Sequence, residues 1–197
     1  MKAPFKVQKA VLSILPALLG VGVFTGCCGS PAPAVEYESQ NMTPLATEVF
    51  TLTNAMRAQG VTCQGVAYPA APALLEDKTL NAAAQHRADD LAQTDDFTHT
   101  PANGKTYAWW LAQVHIKTEF PQFQNDGENL GRTVTNTPQV IVNAWLTSTR
   151  GHCEPEFTST YKDTKTAQWM PGFTRVGVGE AVSVSSGLHY WTMIFAN

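Results

Sequence analysis

Two runs near the C-terminus constrain this chain most. Thr174 to Val182 and Leu188 to Phe195 are rich in β-branched and aromatic residues. Ser185-Ser186-Gly187 between them reads as a hairpin turn. An isolated hairpin cannot bury both its faces, so other elements must cover this one. The residues before it supply helices. Val49, Leu52, Thr53 and Met56 fall at three- and four-residue steps in a helix from Pro44 to Gln59 that stops at Gly60. Leu80, Ala83, Ala84, Arg87, Ala88 and Leu91 do the same from Lys78 to Gln93, and the alanines permit close approach to a neighbour. Tyr107 to Val114 reads as a short aromatic helix. A further helix starts at Thr137-Pro138, buries Val140, Ile141, Ala144, Trp145 and Ser148, and runs to Gly151. Helices first and antiparallel strands last describe an α+β layered domain. The stretches 61–77 and 154–171 read as loops.

The first 26 residues stand apart. Lys2, Lys6 and Lys9 precede an apolar run from Ala10 to Phe24, as in a secretory signal. Thr25-Gly26-Cys27 resembles the lipobox of bacterial lipoproteins, with Phe24 where an aliphatic residue is usual. That resemblance implies a diacylated Cys27 and anchorage to the cell envelope; an ordinary signal would give a secreted protein. Residues 27–44, rich in Pro and Ala, read as a tether to a domain over 45–197. Of thirteen basic residues three lie in the leader, leaving ten against sixteen acidic ones. Such a balance offers no basic footprint for nucleic acid. In an oxidising compartment Cys63 and Cys153 are candidates to form a disulfide, and Cys28 is left over.

Three short segments carry polar chemistry: Phe97-Thr98-His99, Gly127-Glu128-Asn129 and Gly151-His152-Cys153. Phe97 is expected to anchor the first in the core. His152 is expected at a helix C-terminus, where the dipole favours imidazolium. An ionised Glu128 between His99 and His152 would raise the pKa of both. Arg57 reads either as a solvated side chain or as the partner of a buried carboxylate. His86 and His115 read as surface residues.

The ordered set Asn54-x-x-Arg57, Phe97-x-His99, Gly127-Glu128-Asn129, Trp145-x-x-Ser148 with Gly151-His152, Val176-Gly177-Val178-Gly179 and Tyr190-Trp191-Thr192 resembles the CAP superfamily in its bacterial secreted branch. This superfamily groups cysteine-rich secretory proteins, antigen 5 and plant pathogenesis-related 1 proteins. The resemblance covers residues 46–197. It implies an α-β-α sandwich with a central antiparallel sheet. It also implies a cleft lined by two histidines and two glutamates, which in some members binds a divalent metal such as zinc. His99 matches the first histidine and Glu128 the first glutamate. Tyr190 stands in the slot of the second histidine, with His189 on the other face of the strand. The second glutamate has no clear counterpart, and Gly151-His152 is the bacterial branch's own feature. His99 and His152 with Glu128 could form a three-ligand zinc site, or a metal-free cluster in which Glu128 orients an imidazole.

The family resemblance implies lipid or sterol binding, peptide or protein interaction at cell surfaces and, in places, proteolysis. No cofactor is required by the sequence. Ser148 has no matching acid for a triad. The first expectation is a non-enzymatic binding domain whose cleft (His99, Glu128, His152, Tyr190) takes a small apolar ligand, a peptide or a metal. The alternative is a metal-dependent hydrolase using Glu128 and His99.

Overall fold

The computed structural model describes residues 38–163 and 166–197. The expected leader, Cys27, Cys28 and most of the expected tether lie outside them. In chain order the described residues form α1 (Pro44–Gln59), β1 (Val61–Cys63), β2 (Val66–Tyr68), β3 (Leu75–Glu76) and α2 (Lys78–Thr94). Then come α3 (Tyr107–Gln113), α4 (Ile116–Glu119), β4 (Asp126–Thr133) and α5 (Pro138–Leu146). The chain closes with α6 (Cys153–Phe157), β5 (Thr160–Lys162), β6 (Trp169–Pro171), β7 (Arg175–Val182) and β8 (His189–Ala196).

The expected C-terminal hairpin is the centre of the fold. Strands β7 and β8 pair antiparallel, and β4 joins the other side of β8 with Glu128 opposite Ile194. The sheet order is β3-β7-β8-β4, with the two-residue β3 parallel to β7. Two facing layers follow from strand alternation. Val176, Val178, Trp191, Met193 and Phe195 pack with α1, α5 and α6 on one face. Ile194 and Ala196 pack with α2, α3 and α4 on the other. This is the α-β-α sandwich.

How closely α2 lies on the sheet is set by two glycines of β7. A Cβ on Gly177 would sit 2.1 Å from the Leu80 carbonyl carbon, and one on Gly179 2.3 Å from the Ala84 carbonyl oxygen. The glycines and the buried run Ala82-Ala83-Ala84 therefore let backbone rest on backbone. That approach carries the next turn of α2, with Arg87, down to the sheet.

Helix α1 has the bounds read from the sequence. Thr43 caps its start, accepting from the Ala46 amide, and Pro44 occupies the first turn. Its buried stripe is Ala46, Val49, Thr53 and Arg57, one step round from the one expected. The stretch expected as a loop at 61–77 contains the hairpin β1–β2, and 154–171 contains α6 and the hairpin β5–β6. Each of these strands has two or three residues, too few for a period-two pattern to show in the sequence.

Helix α5 differs most from its expectation. It starts at Pro138, but it ends at Leu146, with Thr147 and Ser148 bonded back to the Asn143 and Trp145 carbonyls. Its buried residues are Pro138, Ile141, Val142 and Trp145, while Val140 is 46% exposed. Gly151, with φ of +84°, turns the chain into α6, so His152 stands at that helix's N-terminus. The expected dipole effect on His152 is therefore reversed in sign, and small for a helix of one turn. Cys153 in α6 is bonded to Cys63 in β1, a pairing 90 residues apart in sequence.

Candidate functional site

The site is fastened by Arg87. Its guanidinium is fully buried, and Nε donates to Glu128 Oε1 at 3.0 Å. Nη2 donates to the Thr98 carbonyl, and Nη1 lies 3.6 Å from Asp90 Oδ2. One side chain of α2 thus ties β4 to the segment that carries His99. Glu128, with a side chain 1% exposed, has its second oxygen 2.7 Å from His99 Nδ1. A carboxylate facing a guanidinium is an acceptor, so the ring proton lies on Nδ1 and Nε2 points away from Glu128. The His99 side chain itself is 54% exposed.

Gly127 places Glu128. A Cβ there would lie 3.1 Å from the Phe173 ring, which belongs to a stack running Tyr161, Phe173, Phe195 with centroids 5.0 and 5.3 Å apart. This stack floors a cavity of 340 Å³. His99, Glu128 and His152 all line it, together with Tyr107, Asp126, Arg150, Glu154 and Lys162. Three segments distant in sequence thus meet at one cavity.

The electrostatics differ from the expectation for His152. Burial pushes its pKa below the ordinary value, and the neighbouring His99 and Arg150 push it the same way. No hydrogen bond joins it to Glu128, whose two oxygens are taken by Arg87 and His99. Glu128 therefore pairs with one imidazole and one guanidinium, not with two imidazoles. Arg87 had the sequence signature of an ordinary buried-stripe residue. An arginine in an otherwise alanine-rich helix face was the available sign that a buried acid awaited it.

Tyr190 does not line the cavity. It faces Arg132 across β4, four residues along the strand from Glu128 and about 13 Å away at the usual rise. Its ring lies against Phe97, and its hydroxyl donates to Asp95 at 2.9 Å. Phe97 is not in the core: it is 39% exposed, with the Arg132 guanidinium over its ring at 5.0 Å. The anchor expected of Phe97 is supplied by Arg87 through the Thr98 carbonyl. His189 lies on the opposite face from Tyr190 and pairs with Glu180 at 2.7 Å. His86 stacks on Trp110, and His115 is exposed with a left-handed backbone.

A second acid lies behind the cavity. Glu156 of α6 is fully buried and accepts from Thr53 Oγ1 at 2.9 Å and Asn129 Nδ2 at 2.8 Å. Asn129 also donates to the His152 carbonyl, so it fixes the cavity wall to β4. Arg57 is buried and spans the Pro72, Glu156 and Thr158 carbonyls. It meets the buried Glu156 through the backbone, its charge acting on the carboxylate from nearby. Burial pushes Glu156 up to about 8, with Asn129, Thr53 and Arg57 opposing in part. A carboxyl raised above its unfolded value stabilises the fold fully below that value. The contribution is lost as pH climbs through the folded value. Unfolding midpoints in urea should therefore fall between pH 5 and pH 8.5 in wild type. In Glu156→Gln that part of the slope should vanish; an unchanged slope would place the titration elsewhere.

The residues present do not fit a zinc centre. Such a centre takes three or four protein ligands. Here both oxygens of Glu128 are engaged, by Arg87 and His99, which leaves the ring nitrogens of His99 and His152 as two donors, short of three. Among the described residues no group of three His, Cys, Asp or Glu side chains is placed to hold a metal ion.

The fold is shared with solved proteins. An outer surface protein from Borrelia burgdorferi aligns over 81% of this chain and 97% of its own, with a TM-score of 0.53 at 17% identity. An extracellular protein with an SCP domain from Bacillus anthracis aligns over 81% of this chain, with a TM-score of 0.55 at 21% identity. This chain spans 45% of that second protein. No curated protein matches the sequence significantly. The family described as CAP, the cysteine-rich secretory protein family, matches residues 50–195, from the middle of α1 into β8. With that match and this sandwich, the chain belongs to the CAP family.

Proposed function

We propose that this chain is a non-enzymatic binding domain that works outside the cell, with its cavity taking a small apolar ligand or a peptide. The observation that carries the reading is the commitment of Glu128. A carboxylate used as a base or metal ligand must be within reach of substrate or metal, whereas the Glu128 side chain is 1% exposed and its oxygens already hold Arg87 and His99. Glu128 serves to aim an imidazole at the cavity. Ring-faced floor and polar rim suit a site for a modest ligand, since ligand pockets run from ~300 to 1,000 Å³. The exterior setting accords with the two solved relatives, described as an outer surface protein and an extracellular protein. Anchorage through a lipidated Cys27 belongs to the same proposal.

The experiment starts from protein isolated from its own envelope. Mass spectrometry should give diacylglyceryl Cys27 as the first residue; an unmodified N-terminus elsewhere removes the anchor from the proposal. The domain is then screened by amide NMR against small aromatic and aliphatic acids and against short peptides. Binders should shift residues 127–129 and 150–152, and His152→Ala should weaken them tenfold or more. Shifts confined to other surfaces would overturn the binding site. Cleavage of a library member, abolished by Glu128→Gln, would overturn the non-enzymatic reading.

A further inference from the structure

The wall of the cavity is also the edge of the sheet. Strand β4 is the last strand, paired to β8 alone. In an antiparallel ladder, alternate residues turn both backbone groups to the partner strand and the others turn both away. Two bonds fix the phase here. The Asn197 amide donates to the Asn125 carbonyl, so Asn125, Gly127 and Asn129 turn toward β8. Independently, the Leu130 carbonyl points off the edge and accepts from Trp145 Nε1 at 2.9 Å. Asp126 and Glu128 therefore turn their N–H and C=O groups away from the sheet. Among the described residues no loop or side chain bonds to these backbone groups. Both residues line the cavity. Beyond them the edge is closed by Trp145, so the open edge coincides with the site.

The side chains around this edge are unevenly satisfied. Asp126 accepts from Tyr107 at 2.7 Å, Glu154 from Tyr68 at 2.6 Å, and Glu128 from Arg87 and His99. Asp163 accepts from the Thr166 amide and hydroxyl at 2.6 Å. By contrast, among the described residues the side chains of Arg150, Lys162 and His152 have no hydrogen-bond or ion-pair partner. The acids of the cavity are occupied and its exposed cations are not.

We infer that the ligand of this cavity is an extended peptide bearing a carboxylate, whose main chain pairs with the outward N–H and C=O of Glu128 as a short added strand. This rests on the proposed binding function and names its ligand class. Main-chain pairing supplies the attachment, as in other cases of strand addition. Arg150 and Lys162 receive the carboxylate, and the Tyr161–Phe173–Phe195 stack receives an apolar side chain. The free protein should already bear a mark of this arrangement: the Glu128 amide, outside the ladder, should exchange with solvent faster than those of Gly127 and Asn129.

The test uses random-sequence pentapeptides with a free C-terminal carboxylate, selected on the folded domain by equilibrium dialysis and identified by mass spectrometry. The best-retained peptide is then remade with each backbone nitrogen methylated in turn, and once with a C-terminal amide. Methylation at one interior position should weaken binding tenfold or more, and the peptide should slow exchange of the Glu128 amide. The C-terminal amide, or Arg150→Ala in the domain, should cost a similar factor. If every methylated peptide binds within twofold of the parent, the strand-addition inference is wrong. If non-peptide acids shift residues 127–129 and 150–152 while no pentapeptide does, this inference falls and the binding function stands. If neither class reaches these residues, both fall.

Discussion

Replacing Arg87 by Met will destabilise this protein by about 3–5 kcal/mol, the usual cost of leaving one member of a buried ion pair alone. Arg87 and Glu128 are 0% and 1% exposed, so water cannot replace the lost partner. The same change frees the Thr98 carbonyl and loosens the segment that carries His99. Glu128→Gln made on top of Arg87→Met should recover part of the loss, because a neutral amide is cheaper to bury unpaired than a carboxylate. Urea unfolding of both single variants and the double variant closes this cycle. Additive losses would mean that the pair is not coupled, and that Glu128 finds its charge balance elsewhere.

Removing the Cys63–Cys153 bond by a double Cys→Ala change should have a comparable effect. Closing a loop of 90 residues is worth roughly 4–5 kcal/mol in the chain-entropy account, as an upper figure. Two buried sulfurs pack in the α1–α5–α6 core, so the alanines lose apolar contact as well. The bond also fixes the start of α6, one residue after His152. Calorimetry should show a lower Tm with reductant for wild type and no further reductant effect for the variant. Hydrogen exchange should show the amides of Gly151 and His152 opening faster in the variant. Peptide mapping that finds both thiols free in protein from an oxidising compartment would contradict the pairing.

What could be read from the sequence follows a physical division. Long elements with caps and periodicity were legible: α1 to the residue, α2 to one residue, and the β7–β8 hairpin nearly so. Pattern length supplied those, since a face repeated over four turns is hard to mistake. The end of α5 was not legible. Thr147-Ser148-Thr149 can continue a helix or leave it, and here the hydroxyls and amides bond locally around the turn instead. That early exit put His152 at the start of α6 and altered the reading of its charge. Likewise, the presence of His99, Glu128 and His152 at one site was legible only as an ordered set of motifs. The partner that locks them was not: Arg87 stands out only as an arginine on an alanine-rich helix face, and that sign does not say which acid it meets. Glu156 escaped for the same reason: a buried acid looks like a loop acid until Thr53, Asn129 and Arg57 are brought round it. Tyr190 was placed in the cleft by its position in a motif. Four residues of strand rise were enough to take it out.

The central claim is that Arg87 holds Glu128, and Glu128 aims His99 into a cavity shared with His152. Long-range proton–nitrogen NMR of the histidine rings tests it most directly, because it reports which ring nitrogen carries the proton. With His99 Nδ1 2.7 Å from the carboxylate, neutral His99 should be protonated on Nδ1, the minor tautomer of free histidine. Glu128→Gln, whose amide can donate as well as accept, should release this preference while leaving His189, bonded to Glu180, unchanged. A His99 ring protonated on Nε2 in wild type, and indifferent to Glu128→Gln, would contradict the account.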